Sequence, residues 1–499
     1  MSRRINFVLT ALAATCATGA LGQQSTPSLP FVAVQPADFV QPGSLAVAWA
    51  DYDRDGDLDF AVSGKAGEVR LYRNDGGRFV SIGKALGLPT AGYELRALSW
   101  GDYDGDGWPD LLAGPTAVEN VSLVFRNLRG KGFVDVAANI GLTLAGRSAR
   151  HNNWIDYDND GDLDLYATNR AGGNKLYRNA GGRFEMVPAE AAPSDMRFTV
   201  GACWLDYDRD GDLDVFLANQ AGMTDALWRN DGSRFVDVAP QVGVDNPGRD
   251  KTEGGVGCAV GDYDNDGYLD LFVPNYGRNT LYKGGPNGTL TNVAAQLGVG
   301  VDNHAVGAAW GDYDNDGWLD LMVTSYVGGS GKQEPMNALF HNNGGTGFTN
   351  VLADSGILNA GDHGATWIDY DRDGALDLSL TDGYGPVGGH PVFRNTSPNS
   401  VAARSLSVLV LDAKGRYTKP GAEVRLLDGA GKILATRQVE TAGGYSSQSA
   451  GPVVFGLRSM APVSVEVTFM SNSGRTTVVR RNVSPRTYAG KSLVIRSAR

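Results

Sequence analysis

The sequence predicts an all-β chain built from repeats, and three features lead to that prediction. A nine-residue pattern at residues 51–59, DYDRDGDLD, places aspartates at positions one, three, five and nine and a glycine at position six. The pattern returns six more times, at intervals of 50 to 57 residues. Short apolar segments of strand-like composition flank every copy. A period of this length, repeated seven times, is typical of a propeller or a solenoid.

Each repeat contains four short segments that we interpret as antiparallel strands. The first ends in a tryptophan two residues before the aspartates in six repeats, and Val260 takes that place in the fifth. The second follows the aspartates directly, the third ends in a motif such as LYRN, and the fourth contains a phenylalanine with a nearby valine or isoleucine. Four strands per repeat predict a seven-bladed β-propeller with seven Asp-rich calcium loops, followed by a small β-sandwich-like domain.

A linear solenoid is the alternative, and the phase of the repeats argues against it. The seventh repeat supplies only three strands before the chain reaches residues 396–400, which we interpret as a linker. A candidate for the missing fourth strand is the sequence FVAV at residues 31–34, near the other end of the mature chain. We expect this segment to complete the seventh blade, so that the ring closes and its last sheet edge is covered.

The aspartate pattern is suited to a hard cation, because carboxylates on alternate residues converge when a glycine reverses the chain. Calcium accepts about six to eight oxygen ligands, whereas magnesium demands a tight octahedron and zinc prefers His or Cys, which no loop contains. We expect one Ca2+ per loop, with the carbonyl of position seven as a further ligand. The ligands predicted in the first four loops are Asp51, Asp53, Asp55, Asp57, Asp59, Asp102, Asp104, Asp106, Trp108, Asp110, Asp156, Asp158, Asp160, Asp162, Asp164, Asp206, Asp208, Asp210, Asp212 and Asp214. Those in the last three are Asp262, Asp264, Asp266, Tyr268, Asp270, Asp312, Asp314, Asp316, Trp318, Asp320, Asp369, Asp371, Asp373, Ala375 and Asp377.

An EF-hand is the competing interpretation of the D-x-D-x-D-G core of each loop. It requires a bidentate glutamate at position twelve, where the first loop has Val62, and it requires flanking helices. Because the seven loops are alike, we expect calcium to hold the strands together and not to act in catalysis. Four unneutralised carboxylates in one loop would repel one another, so the fold should depend on the metal.

Composition divides the chain into four parts. Residues 1–22 have the basic start, apolar centre and small-residue end of a secretory signal peptide, so we expect a secreted, periplasmic or cell-surface protein. Residues 23–395 contain the repeats, residues 396–400 the linker, and residues 401–499 an all-β domain without aspartate loops. No other stretch is apolar enough to span a membrane.

Cysteine content and charge add two expectations. Cys203 and Cys258 remain after cleavage, and their offsets from the aspartate loops place them on opposite strand faces; we therefore favour buried free thiols over a disulfide. The whole chain has a net charge of −12, but from residue 401 onward 15 Lys and Arg outnumber 5 Asp and Glu. The acidity therefore reflects the loops and does not indicate nucleic-acid binding. The basic domain is a candidate to dock on the acidic propeller or on an anionic surface, and a surface that only keeps the protein in solution is the alternative.

The aspartate loops and their flanking strands resemble the FG-GAP/VCBS repeats of integrin α-like propellers. Residues 421–424 (GAEV), 443–448 (GGYSSQ) and 455–457 (FGL) resemble recurring segments of an ASPIC/UnbV domain. The combination is similar to the bacterial relatives of cartilage acidic protein. A departure lies at residues 469–474, FMSNSG, where that family has a Trp-Pro-Ser-Gly-like turn. The resemblance implies an exported calcium-binding propeller in adhesion or recognition, and it supplies no catalytic residue.

The face opposite the calcium loops is the predicted ligand face, because its connections vary most in length and chemistry. We expect recognition of an extracellular protein or glycan there; a polysaccharide-active lyase or hydrolase on the same face is the alternative. Polar residues that are merely solvated would also explain these loops. No serine elbow or histidine–metal cluster is apparent, so we predict no catalysis. The candidate ligand-binding residues are Arg150, His151, Arg249, Lys251, His304, Tyr326, His363 and His390.

Overall fold

The computed structural model describes residues 30–326, 336–357, 362–383, 389–416 and 418–498; the predicted signal peptide, residues 1–22, lies outside them. Strand β1 (Phe31–Val34) precedes a series of antiparallel four-stranded sheets. The first four sheets contain β2 (Ser44–Ala50), β3 (Asp59–Gly64), β4 (Val69–Asn74) and β5 (Phe79–Ser81); β6 (Leu95–Gly101), β7 (Asp110–Pro115), β8 (Leu123–Asn127) and β9 (Phe133–Asp135); β10 (Ala149–Ile155), β11 (Asp164–Asn169), β12 (Lys175–Asn179) and β13 (Phe184–Met186); and β14 (Thr199–Leu205), β15 (Asp214–Asn219), β16 (Ala226–Asn230) and β17 (Phe235–Asp237).

Three further sheets follow, and the fifth is the least regular because a small two-stranded ladder interrupts it. That ladder consists of β18 (Gly254–Gly255) and β21 (Asn275–Tyr276). The main sheets contain β19 (Ala259–Gly261), β20 (Asp270–Val273), β22 (Thr280–Gly285) and β23 (Thr289–Asn292); β24 (Ala305–Gly311), β25 (Asp320–Ser325), β26 (Ala338–Asn342) and β27 (Phe348–Asn350); and β28 (Gly364–Ile368), β29 (Asp377–Thr381) and β30 (Val392–Asn395). Short helices connect some of them: α1 (Ala137–Ile140), α2 (Ala239–Val242), α3 (Ala294–Leu297), and 3-10 turns at Pro286–Gly288 and Leu352–Asp354.

The seven sheets form a propeller-like arrangement. The first strand of each sheet contacts the first strand of the next, and β28 of the last sheet contacts β2 of the first. Separate clusters of buried apolar side chains fill the spaces between neighbouring sheets, including the space between the seventh and the first. The first strands therefore surround the centre of the ring, and the aspartate loops, which follow them, all lie at one end. We call that end the aspartate face.

Strand β1 completes the seventh sheet, as the sequence predicted. It pairs antiparallel with β30, in a register that joins Phe31 to Asn395 and Val34 to Val392. The ring of the Phe31 side chain, 2% exposed, packs 5.8 Å from that of Tyr313 and 5.9 Å from that of Trp367, between centroids. Strands from both ends of the repeat region thus share one sheet, and the edge of β30 is covered.

The C-terminal domain begins after helix α4 (Asn399–Ala402) and contains two sheets around one apolar core. The domain is all-β, as the sequence predicted, and the alternating burial of its strands places one face of each sheet in that core. Its strands are β31 (Ser405–Leu411), β32 (Glu423–Leu427), β33 (Ile433–Gln438), β34 (Ser447–Gln448), β35 (Val453–Gly456), β36 (Val463–Phe469), β37 (Thr476–Val483) and β38 (Leu493–Arg496), with a 3-10 turn at Pro485–Tyr488. The sheet orders are β35-β31-β38 and β33-β32-β36-β37.

The expectation of two free thiols was wrong. Cys203 and Cys258 form a disulfide, with their Cα atoms 6.0 Å apart. Cys203 lies on β14, and Cys258 lies just before β19 in the neighbouring sheet. Two sheets that pack side by side present opposite strand faces to the space between them, so side chains on opposite faces of successive repeats point toward each other. The alternation argument therefore favours the disulfide once the sheets are known to be adjacent.

Candidate metal centres and ligand face

The aspartate loops share one backbone geometry. The residue at position four has a positive φ in every loop, as Arg54 does with 59°, and so does the glycine at position six, as Gly56 does with 97°. In six of the seven loops the N–H of that glycine donates to the first aspartate, at 3.1 Å from Gly56 to Asp51 Oδ2 in the first loop. Two left-handed residues two positions apart thus turn the chain so that alternate carboxylates face inward, and glycine at position six meets this requirement without strain.

The aspartate at position nine fastens each loop to its sheet. In the first repeat, Asp59 accepts from the N–H of Tyr52 at 3.3 Å through Oδ2 and from the N–H of Asn74 at 2.8 Å through Oδ1. Equivalent contacts recur in all seven repeats, with Gly284 as the third-strand donor in the fifth. Sequence reasoning assigned this aspartate only to the metal; it also joins the loop to the third strand.

Carboxylate oxygens converge within the loops. In the first three loops, one oxygen from each of positions one, three and nine lies within 4.8 Å of the others. Four first-position aspartates, one each in loops one, three, four and seven, have a buried Oδ1 without a hydrogen-bond partner in the described structure: Asp51, Asp156, Asp206 and Asp369. A buried oxygen that recurs without a donor is what a cation would satisfy. The donor set of hard oxygens fits the predicted calcium.

Burial and mutual repulsion affect the titration of these groups. Burial, followed by the charges of Asp55 and Asp53, raises the pKa of Asp51 to about 6. Burial likewise raises the pKa of Asp59 to about 8 and that of Asp102 to about 7. The carboxylates are therefore costly to keep ionised without a counter-charge, and a bound cation would restore their ionised form.

In five repeats the basic residue on the third strand pairs with loop aspartates, whereas Arg73 and Arg229, in the first and fourth repeats, pair with Asp75 and Asp231 outside the loops. Arg126 lies 2.7 Å from Asp104 through Nε, and Arg394 lies 2.6 Å from Asp371 in the same manner. In the sixth repeat this place belongs to His341, whose Nδ1 is 3.2 Å from Asp320 Oδ1. The signal for this role was present in the recurring LYRN motif, whose third letter is the basic residue. Its meaning becomes visible only when the third strand lies beside the loop.

The basic C-terminal domain docks on the aspartate face, one of the alternatives that its charge left open. Lys419 forms an ion pair with Asp156, and Arg475 forms one with Asp206. Arg416 donates from Nη1 to the carbonyl of Gly105 at 3.0 Å. The unusual turn at residues 469–474 participates directly, since Asn472 Nδ2 donates to the Asn159 carbonyl at 3.3 Å and Arg475 follows it. The turn that departs from the family pattern therefore belongs to the docking contact.

Residues 441–450 of the C-terminal domain, which we call the channel segment, fill the centre of the ring. Strand β34 within it pairs parallel with β6, and the N–H of Ala450 donates to the Trp49 carbonyl at 2.8 Å. Both ends of the segment contact the ends of first strands next to the aspartate loops, as Thr441 does with Trp204. Tyr445 lies deeper, where it packs against Val200, Val256 and Val306. The segment thus enters from the aspartate face and reaches toward the opposite face.

Most of the candidate ligand residues are buried, and two of them, His151 and His363, contact the channel segment. Exposed fractions are 3% for Arg150, 1% for His151, 9% for His304, 3% for His363 and 1% for His390. The four histidines are packed against other residues. His151 Nε2 contacts the Ser447 carbonyl at 2.9 Å, and the ring of His363 lies 5.5 Å from that of Tyr445. The ring of His304 stacks on that of Tyr276, with centroids 3.7 Å apart, and His390 contacts Ser44 Oγ at 3.0 Å and Tyr72 OH at 2.9 Å.

The remaining three candidates are nearer the surface. Arg249 forms an ion pair with Asp225 at 2.9 Å, Lys251 is exposed, and Tyr326 is half-buried. The structure therefore brings His304, Tyr326 and His363 together around the channel segment, while Arg249, Lys251 and His390 lie apart from that group. Sequence reasoning missed the channel segment itself. Its GGYSSQ sequence resembled a family motif but gave no sign that it would enter the ring.

Parts of this chain match the models of two known protein families. The FG-GAP-like repeat model matches residues 51–113, 156–217, 206–273 and 262–323, which contain six of the seven aspartate loops, and the ASPIC and UnbV model matches residues 416–491. No curated protein matches the chain. No helix in the described ranges is long and apolar enough to cross a membrane.

Several solved structures are similar at low identity. A structure of an Agrocybe aegerita lectin that recognises non-reducing terminal N-acetylglucosamine is 16% identical, with a TM-score of 0.40, over 74% of this chain and 94% of that one. The BP39L lectin of Burkholderia pseudomallei is 12% identical, with a TM-score of 0.47, over 72% and 97%. The extracellular domain of a hybrid two-component system from B. thetaiotaomicron is 12% identical, with a TM-score of 0.44, over 92% and 50%. The repeat and domain matches, and not these remote likenesses, identify the chain. It belongs to the proteins that combine FG-GAP-like repeats with an ASPIC and UnbV domain.

Proposed function

We propose that this protein is an exported, seven-bladed calcium-binding propeller that recognises an extracellular protein or glycan without catalysing a reaction. The observation that best supports the proposal is that the converging carboxylates and the C-terminal domain both lie at one face of the ring. The aspartate face holds the converging carboxylates and is covered by the C-terminal domain. The opposite face would then bind the partner. A disulfide in the described chain fits an oxidising compartment and thus export.

Calcium has a structural role in this proposal. Each loop would hold one ion between the first and second strands, with carboxylates of positions one, three, five and nine and the carbonyl of position seven as ligands. The same loops contact the third strand through position nine and the C-terminal domain through Lys419 and Arg475. Calcium that neutralises the carboxylate charge of the loops would therefore stabilise every sheet and also the interface with the C-terminal domain.

Calorimetric titration of the full chain with calcium, together with thermal unfolding in calcium and in chelator, tests this role. We expect about one ion per loop and a melting temperature that falls in chelator and recovers with calcium. Asp55→Asn removes an exposed ligand charge and should lower the number of bound ions. Asp354→Asn, an exposed aspartate outside the loops, is the matched control. A melting temperature that is the same in chelator and in calcium would refute the assignment.

The recognition surface is the opposite face. Several of its connections expose large apolar side chains: Met196 is 74% exposed and Phe198 38%, and Met223 touches the latter, with Sδ 3.3 Å from the Phe198 N. Large exposed apolar side chains that cluster mark interaction surfaces more often than isolated ones do. Lys251 and Tyr326 supply polar and aromatic contacts on the same face. The buried histidines would then support this surface without touching the partner.

A glycan array and a panel of extracellular proteins, probed with the calcium-loaded chain, test recognition. Met196→Asp should reduce binding to any partner found by about tenfold or more, because it places a charge in an apolar contact. Met186→Asp is the matched control, since Met186 is 56% exposed on an outer strand. Equal binding by both variants, or conversion of a bound glycan to product, would refute the proposal.

A further inference from the structure

The first strands share an irregularity at the end that lies away from the aspartate loops. In five of them one extra residue is inserted opposite the second strand, which is a β-bulge, and a bulge re-aims a side chain. The positions that the pairing skips are Leu45, Arg96, Arg150 with His151, Val200 and Val306. Val200 and Val306 pack against Tyr445 of the channel segment. The second and third repeats supply arginines at this position, next to each other in the ring.

Arg96, the arginine of the second repeat, has partners for its charge. Its Nη1 donates to the hydroxyl of Tyr445 at 3.1 Å, and its Nη2 forms an ion pair with Glu94 at 2.8 Å. Glu94 also accepts from Thr116 Oγ1 at 2.7 Å. The carboxylate beside the second repeat is therefore already engaged.

Arg150, the arginine of the third repeat, is buried without a counter-charge. It is 3% exposed, and it forms no ion pair within the described residues. Its Nη1 donates to Ser148 Oγ at 3.1 Å and to the Ala149 carbonyl at 2.8 Å, whereas Nε and Nη2 donate to no group in the described ranges. Unlike the Nε of Arg96, neither of these two atoms is fully enclosed by protein. The Nε–Nη2 edge of a guanidinium is the edge that binds an oxyanion through two parallel hydrogen bonds.

Arg170 adds a second positive charge beside Arg150. Its main-chain N–H donates to the carbonyl of Ser148 at 3.0 Å, so one residue anchors both arginines. The side chain of Arg170 is exposed; its Nε donates to Gln220 Oε1 at 2.8 Å, and it forms no ion pair in the part of the chain that the structure describes. We call Arg150 and Arg170 the arginine pair.

The charges of these arginines act together at the end of the channel segment. Burial on its own would raise the pKa of Tyr445, yet the charges of Arg96 and of the arginine pair lower it. Burial, followed by the charge of Arg96, lowers the pKa of Arg150 to about 10. Like charges that are partly removed from water are costly, and an anion placed among them removes that cost.

The arginine pair is continuous with the apolar surface proposed above for recognition. Gln220, which accepts from Arg170, donates its main-chain N–H to the carbonyl of Phe198 at 3.0 Å. The half-buried ring of Tyr276 is close enough to Arg170 to be affected by its charge. An aromatic ring beside a guanidinium suits a sugar that carries an acidic group, because the ring packs on the C–H face of the sugar while the guanidinium binds the anion.

We propose that the arginine pair binds the acidic group, a sulfate or a carboxylate, of an extracellular polysaccharide. The oxyanion accepts from the Nε–Nη2 edge of Arg150 and from the exposed guanidinium of Arg170, and a neighbouring sugar ring packs on Tyr276. The inference rests on the proposed recognition at the opposite face. It specifies the partner as an acidic glycan, in place of a protein or a neutral glycan.

Calorimetric titration of the calcium-loaded full chain with three tetrasaccharides tests this site. One is derived from heparin and carries sulfates and carboxylates, one is derived from hyaluronan and carries carboxylates only, and maltotetraose is neutral. We expect an acidic tetrasaccharide to bind at least about tenfold more tightly than maltotetraose. Binding of the hyaluronan tetrasaccharide identifies the carboxylate as the recognised group, and binding of the heparin tetrasaccharide alone identifies the sulfate.

Two variants separate the arginine pair from other basic residues. Arg170→Gln should weaken binding of the acidic tetrasaccharide by about tenfold at an unchanged melting temperature, because its side chain is exposed. Arg150→Gln should weaken it by at least as much. Arg183→Gln, at an exposed arginine in the turn between β12 and β13 of the same repeat, is the matched control and should bind as the parent protein does.

Three results would each overturn the inference: equal affinity for acidic and neutral tetrasaccharides, no binding of either acidic one, or unchanged affinity in Arg170→Gln or in folded Arg150→Gln. Arg170→Gln keeps the test decisive if Arg150→Gln does not fold. Failure of this inference is distinct from failure of the proposed recognition. A partner from the array or the protein panel that binds Arg170→Gln as well as the parent protein, but is lost in Met196→Asp, would overturn the acidic-glycan site and still support recognition at this face.

Discussion

Asn74 in the first repeat donates from Nδ2 to the main-chain carbonyl of Tyr370 in the seventh repeat, at 3.0 Å. The same amide donates to the Leu58 carbonyl of its own repeat at 3.2 Å. Five other repeats contain an equivalent asparagine that reaches the tyrosine carbonyl of the preceding repeat, at 2.7 to 3.1 Å: Asn127, Asn179, Asn230, Asn342 and Asn395. An asparagine at the same position therefore links neighbouring repeats by the same hydrogen bond at six junctions of the ring. We call this contact the asparagine join, and Asn74 forms it between the first and the seventh repeat.

Asn74→Ala should weaken the closure of the ring. The change removes two donated hydrogen bonds and the acceptor of the Gly77 N–H, all at a buried position. We expect the free energy of unfolding to fall by about 2–3 kcal/mol, as measured by chemical denaturation in calcium. Asn343→Ala is the control, because this asparagine lies in an exposed turn of the sixth repeat. Equal stability of the two variants would contradict the role assigned to Asn74.

Gln448→Ala should loosen the channel segment. The Trp154 N–H donates to Gln448 Oε1 at 2.8 Å, and Gln448 Nε2 donates to the Trp154 carbonyl at 2.9 Å, so the side chain satisfies a main-chain pair as a neighbouring strand would. Truncation leaves both groups buried without a partner, which costs about 1–3 kcal/mol for each. Hydrogen exchange should show faster exchange of the Trp154 amide. Gln241→Ala, at an exposed position, should change neither quantity.

Protonation of His151 should lower the free energy of unfolding at acidic pH. Its Nε2 contacts the Ser447 carbonyl and its Nδ1 accepts from the Ala202 N–H at 3.3 Å, an arrangement that requires the neutral ring. Burial lowers the pKa of His151 to about 4, although the hydrogen bond to Ser447 opposes this. Since the unfolded chain binds the proton more readily, stability is full above about pH 6.5 and is lost as the pH falls toward 4, by up to about 3 kcal/mol.

His151→Gln separates this effect from the titration of the loops. Glutamine offers one donor and one acceptor but does not titrate between pH 4 and 7. Denaturation at fixed calcium should show a smaller loss of stability between pH 7 and pH 4 in the variant than in the parent protein. An identical pH dependence in the two proteins would show that His151 does not carry the effect.

The sequence predicted the loops, the four strands of each repeat and the closing role of β1, because each depends on local periodicity. Residues 441–450 were not predictable in the same way. Most of their contacts go to main-chain groups of first strands, such as those of Leu98 and Trp154, and main-chain groups leave no mark in the sequence. The sequence consequently gives no sign that His151 and His363 are buried, because His151 contacts Ser447, 296 positions away, and His363 contacts Tyr445, 82 positions away.

The Cys203–Cys258 disulfide lies at the one junction that lacks the asparagine join. In the fifth repeat Gly284 replaces that asparagine, so this position supplies no side-chain amide to Tyr207 of the fourth repeat. The disulfide connects these same two sheets, across a sequence separation of 55. Chain-entropy arguments assign about 4 kcal/mol to a cross-link of that length. The disulfide therefore links the fourth and fifth repeats, which the other junctions achieve with the asparagine hydrogen bond.

The double variant Cys203→Ala and Cys258→Ala should accordingly lose about 4 kcal/mol of unfolding free energy in calcium. Hydrogen exchange should localise the loosening to β14 and β19, and the amides of β2 and β28 at the far junction should keep their protection. Reduction of the parent protein should reproduce the loss, with two thiols appearing on titration. If the double variant is as stable as the parent, or if protection falls equally at every junction, the fourth and fifth sheets do not depend on this bond.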